Sequence, residues 1–224
     1  TITPERVAVL VNALYFKAPW SEQFAAEQTR NAEFTRVDGT LVDAPFMHNT
    51  GAYAYAEGEG YQALEMTFRG GDLAMVLLLP DAANFDAFEA GLDAASLDTI
   101  IDTLADAHGT VAVPKFQFES EFQLKQMLQS LGMTSVFDEN LANLSGMQSA
   151  DARDKLFVDD AYHKTFIAID ENGAEAAAAT GIVVGTTSAP IETFDFNANR
   201  PFLLLIRDRV TGALLFFGRV VDPS

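Results

Sequence analysis

The chain has 224 residues, no cysteine, 49% hydrophobic residues and a formal net charge of −18. That length and apolar content suit one large domain or two small ones, and the absence of cysteine removes any disulfide framework while leaving the redox compartment unread. The acidic balance argues against nucleic acid, whose phosphates need clustered Lys and Arg, and against an anionic membrane surface.

The N-terminal stretch TITPERVAVLVNALYF lacks the charged-then-apolar order of a signal peptide and runs at once into a strand pattern. Val7 to Phe16 is rich in branched and aromatic residues and is closed by Ala18-Pro19-Trp20. Ala52–Glu57 and Gln62–Phe68 read as a hairpin about Gly58–Gly60. Leu73–Leu79 continues it after a Gly70-Gly71 turn, with Pro80 as the stop. No apolar run approaches the roughly 20 residues of a membrane span. Helical patterns are few: Asn84–Gly91, then Ala94–Ala107 with Leu97, Ile100, Ile101 and Leu104 on one face, then Glu121–Leu131 stopped by Gly132. Strands are expected at Gly109–Glu119, Lys155–Ile169, Pro201–Arg207 and Ala213–Val221. There is no internal repeat and no linker composition, so one α+β domain with more than one sheet is expected over residues 1–224.

One stretch stands apart. Residues 171–180 read ENGAEAAAAT: a glycine pivot, then almost only the smallest side chains. Residues 181–190 follow without a charge and with several β-branched residues. Alanines favour helix and the valines favour strand. The segment is either a short surface helix or flexible loop, or a loop that changes state.

Catalytic patterns are weak. His48, His108 and His163 are far apart and lack metal-ligand spacing, and no nucleophile elbow, P-loop or dinucleotide fingerprint occurs. His163 lies near Asp159 and Asp160 and invites a triad reading, but an apolar strand pattern surrounds it and favours a structural histidine. With 32 carboxylates, chance pairs are inevitable and none is nominated. The residues call for no metal and no cofactor.

Seven segments resemble the serpins in matching order: VNALYFKAPW, GGDLAMVLLLPD, VPKFQFESEFQLKQMLQSLGM, LSGM, AYHKTFIAIDENGAEAAAATG, NRPFLLLIRD and GALLFFGRVVDPS. The resemblance is to the C-terminal portion of an inhibitory, prokaryotic-like serpin. It implies parts of the family's sheets A, B and C with a few helices and an exposed reactive-centre loop at about 171–190. The family's N-terminal helical part is expected to be absent.

The resemblance also implies a suicide-substrate inhibitor of a serine protease rather than an enzyme. A protease nucleophile attacks the loop, and the cut loop inserts as a strand into the main sheet. The hinge then comprises Glu171, Gly173, Ala174, Glu175, Ala176, Ala177, Ala178, Ala179 and Thr180. Alternation along a strand places Ala174, Ala176, Ala178, Thr180, Ile182 and Val184 on one uncharged face, and Glu175 on the other. Counting from the hinge puts the reactive bond between Thr187 and Ser188, with Pro190 two residues on. Thr187 suits a small primary pocket, as in elastase-like or subtilisin-like proteases. Asn12 and His163 match a hydrogen-bonded pair where the family's sheet opens. Lys115 and Glu171 match an ion pair near the top of that opening, and Trp20 an aromatic packed there. A monomer is expected, with no nucleic-acid or membrane partner. The compartment is not legible; the family's habit points to secretion or the cell envelope. The alternative is a serpin-fold protein that does not inhibit, serving in binding, storage or chaperoning.

Overall fold

A computed structural model of the chain describes residues 8–147, 156–174 and 193–224. In chain order the strands begin with β1 (Val9–Tyr15), β2 (Ala18–Pro19), β3 (Arg30–Thr35), β4 (Leu41–Gly58), β5 (Tyr61–Thr67) and β6 (Leu73–Pro80). Helices α1 (Phe85–Gly91) and α2 (Ala94–Thr103) come next. They are followed by β7 (Ala105–Pro114), β8 (Phe116–Gln123) and helix α3 (Lys125–Ser130). The chain closes with β9 (Asp160–Asp170), β10 (Gly173–Ala174), β11 (Phe194–Asn197), β12 (Phe202–Asp208) and β13 (Leu214–Val220).

The described residues group into two compact units. One contains β1, most of β8, α3 and β9 up to residue 167. Its sheet is built on β9, which carries β1 parallel to it, Val9 facing Asp160 through Tyr15 facing Phe166. β8 also pairs with β9. Phe137, Val158 and Ala161 form a small core there, with Leu124 and Leu128 of the α3 segment packed against it.

The other unit spans 17–117 and 168–224 and contains an eight-stranded sheet in the order β11-β7-β4-β5-β6-β12-β13, with β3 on β4. The run LAMVLLL in β6 lies between β5 and β12 and is almost wholly buried, as an uninterrupted apolar strand requires. Val76 and Leu78 on its α-helical side pack with Phe85 of α1 and Leu97 and Ile100 of α2. Gly60, at φ 82°, closes the two-residue turn between β4 and β5.

Three expectations change. The α2 pattern was read to Ala107 but the helix ends at Thr103, because Ala105 onward pairs with β4 in a ladder running from Tyr55–Ala105 to Phe46–Pro114. That ladder outweighs alanine's helix preference. The strand expected over Gly109–Glu119 is two strands separated at Lys115. Glu121 to Gln123 close β8 rather than open a helix, so α3 starts at Lys125; Gly132, at φ 97°, follows its end as expected. β3, the first eleven residues of β4 and β11 had no sequence expectation.

Candidate functional site

The site is assembled where the chain leaves β9 and enters the alanine-rich stretch. Gly173 and Ala174 form a two-residue strand with partners on both sides. Gly173 faces Pro19 and Ala174 faces Ala18 on β2, while Gly173 faces Asp170 and Ala174 faces Ile169 on β9, both antiparallel. Gly173 has φ 142°, and a Cβ there would lie 2.2 Å from the Ala18 carbonyl oxygen. Only glycine fits that conformation and that gap. Ala174 is fully buried.

Trp20 braces this start from one side. Its backbone N–H donates to Asn172 O at 2.9 Å and its indole N–H to Asp170 O at 3.0 Å. Its ring stacks on Phe68 with centroids 4.5 Å apart. Phe24 N–H donates to Glu171 O at 3.0 Å, and Asn172 N–H to an Asp170 carboxylate oxygen at 2.7 Å.

Glu171 receives two further bonds. Lys115 Nζ lies 2.8 Å from Oε2, and the Thr29 hydroxyl donates to Oε1 at 2.7 Å. Burial works to raise the Glu171 carboxyl, and the bonds from Lys115 and Thr29 overcome it, so it sits below its ordinary value. Lys115 lies between β7 and β8, and its backbone N–H donates to Pro45 O at 2.8 Å.

In the other unit, Asn12 and His163 are directly opposed on β1 and β9, and Asn12 Nδ2 lies 3.0 Å from His163 Nδ1. With Nδ1 accepting, the ring proton sits on Nε2. Phe122 stacks over the imidazole at 6.4 Å. The Asp160 carboxylate accepts from Gln123, Tyr162 and the Ala161 N–H, not from His163. No triad forms at His163 among the described residues.

Glu175, Ala176, Ala177, Ala178, Ala179, Thr180, Thr187 and Ser188 lie outside the described residues. Two features escaped sequence reasoning. Thr29 was unremarkable in its own segment. Glu65, buried, is held by Arg207 through Nε at 2.9 Å and Nη2 at 2.7 Å, and by Arg209 Nε at 3.0 Å. A lone carboxylate inside the apolar run ALEMTF and an arginine ending FLLLI were the available signals.

A family profile described as Serpin (serine protease inhibitor) matches residues 1–223. The chain is a serpin. It is 38% identical over 226 residues to a serpin-like protein of Thermococcus kodakarensis, covering 100% of this chain and 51% of that one. It is 40% identical over 217 residues to antithrombin-III of Mus musculus, covering 96% and 46%. The chain thus spans about half the length of the curated relatives it matches. Among solved structures, the native state of the thermophilic serpin tengpin superposes with a TM-score of 0.84 at 28% identity, covering 99% of this chain and 57% of that one. Human thyroxine-binding globulin superposes with a TM-score of 0.83 at 29% identity, covering 100% and 58%. The multi-sheet α+β architecture is therefore the serpin fold. Among the described residues no group of three or more His, Asp or Glu could hold a metal, and no helix is long and apolar enough to cross a membrane.

Proposed function

We propose that this serpin segment carries the bait and hinge of a suicide-substrate inhibitor of serine proteases. The observation that supports it is the strand formed by the pivot Gly173 and the alanine after it, Ala174, already paired on both sides. An inserting loop needs such a leading edge.

In this reading the protease's serine attacks the carbonyl carbon of Thr187, the Thr187–Ser188 bond breaks, and Ser188 leaves with a new amino terminus. The acyl-linked residues from Glu175 onward extend β10 as a strand. Ala174 is buried, so its alternation partners Ala176, Ala178 and Thr180 meet the same interior face without a charge. Each ladder bond adds about 1 kcal/mol net, so a dozen or so contribute roughly 10 kcal/mol, comparable with a domain's stability. Dragging the tethered protease distorts its oxyanion donors and stalls deacylation. Glu171, Lys115, Thr29 and Trp20 fix where insertion starts, and Asn12 with His163 holds β1 to β9. Thr187 directs the bait to small primary pockets, elastase-like or subtilisin-like.

The test is to mix the full-length protein with such proteases and run a denaturing gel. A covalent band at the combined mass is expected, together with a rise in melting temperature after cleavage. Simple cleavage with no such band and no rise supports the second reading, a serpin that carries a ligand. The likeness to thyroxine-binding globulin, solved in complex with thyroxine, favours that alternative.

A further inference from the structure

A cavity of about 380 Å³ opens among three connections of the larger unit: the turn after β3, the β6–α1 link and the segment leading into β12. That volume lies in the range of small-molecule sites. Its apolar wall includes the buried Phe85 and Pro201 and the last residue of β6, Pro80.

Arg200 lines it from the β12 side. Its Nε donates to Pro80 O at 2.7 Å, which fixes the plane of the guanidinium. Among the described residues Nη1 and Nη2 have no hydrogen-bond partner. Burial pulls Arg200 below its ordinary value against the opposing influence of Asp81, so the cation is held partly out of water without a direct counter-ion. The neighbouring Arg36 is different: its Nε is taken by Asp222 at 2.6 Å. The two free amino groups of Arg200 present the parallel fork that suits a carboxylate.

Two carboxylates share the lining, Asp81 and Asp86, both exposed. They would repel a simple anion and attract an ammonium. Ala83, on the same wall, has φ 65°, alone in that region among the described non-glycine residues. Such strain is typically retained where a loop must hold a set shape, as at a binding site.

We propose that this cavity binds a free α-amino acid with an apolar side chain. Its carboxylate meets Arg200, its ammonium faces Asp81 and Asp86, and its side chain lies against Phe85 and Pro201. The proposal is independent of the protease reading.

Calorimetric titration of the full-length protein with L-phenylalanine, L-phenylalaninamide and N-acetyl-L-phenylalanine tests it. Phenylalanine is expected to bind saturably, and each blocked form at least tenfold more weakly. Arg200→Gln should erase the preference for acid over amide. Asp86→Asn, at an exposed position, should reduce the preference for free over acetylated amine. No saturable binding of phenylalanine, or equal binding of all three ligands, overturns the proposal. Should R200Q fail to fold, the ligand series on the unaltered protein together with D86N still decides it.

Discussion

Gly173 packs against Ala18 at a distance no side chain can occupy: a Cβ would stand 2.2 Å from the Ala18 carbonyl oxygen and 2.6 Å from Pro19 Cα. Both obstacles are backbone, so neither can swing aside. The residue also holds φ 142°, a conformation that L side chains rarely adopt.

Gly173→Ala is therefore expected to expel β10 from between β2 and β9. A strained backbone costs on the order of 1–3 kcal/mol, and the clash adds to it. Thermal unfolding should show a lowered Tm, and limited proteolysis should cut earlier in 171–180. A variant with unchanged Tm and cleavage rate would show that the two-sided pairing contributes nothing.

Acid should loosen the same strand through Glu171. Its carboxyl is held below the ordinary 4.5, so its contribution is complete above that value and is lost as pH falls through the lower folded-state value. Proteolysis at the hinge is expected to be flat from neutral pH down to about 4.5 and to rise below it. Lys115→Met should blunt this response without abolishing it, because the Thr29 hydroxyl still donates to Glu171. Lys115 is 35% exposed, so the loss of stability should be modest, about 1 kcal/mol. An identical pH profile in the variant would remove Lys115 from the hinge.

Much of this was legible because local and global preferences agree. The runs at 73–79 and 202–206 have no polar residue to favour another state, and both became buried strands. Gly132 and Gly60 stop or turn the chain through their own backbone freedom. Ala105 to Ala107 misled because the two alanines favour helix and only the distant β4 supplies strand partners. Arg30–Thr35 was silent for the same reason: its polar alternation becomes a strand only beside Leu41–Phe46. Gly173 and Ala174 stood out in the sequence because a glycine followed by alanines is unusual as a run. Thr29 was invisible because nothing local ties it to a residue 142 positions away.

Asn12 and His163 hold β1 to β9 by a side-chain bond over a parallel ladder. His163→Ala removes it and the Phe122 stack, and should cost 1–2 kcal/mol or so. We expect premature insertion or polymerisation, seen as a ladder on native gels after mild heating. A double-mutant cycle with Asn12→Ala should give a coupling of at least about 0.5 kcal/mol. An unchanged monomer after heating, with additive single effects, would falsify a controlling role for the pair.

The largest single loss is expected away from the hinge, at Glu65. Its side chain is 3% exposed and Arg207 beside it 16%, so the two bonds that Arg207 donates to Oε2 are nearly dry. Removing one partner of such a pair typically costs 3–5 kcal/mol, because the remaining charge keeps its burial and loses its compensation. Arg207→Met should fall in that range. Arg209, 42% exposed, reaches only Oε1 and leaves Oε2 without the two bonds from Arg207. Replacing the pair together, Glu65→Leu with Arg207→Met, should recover most of the stability, since apolar side chains of similar volume then fill the site. Chemical denaturation of the two variants and the parent protein decides this. If the double variant is no more stable than Arg207→Met, the cost lies in packing and not in an orphaned carboxylate.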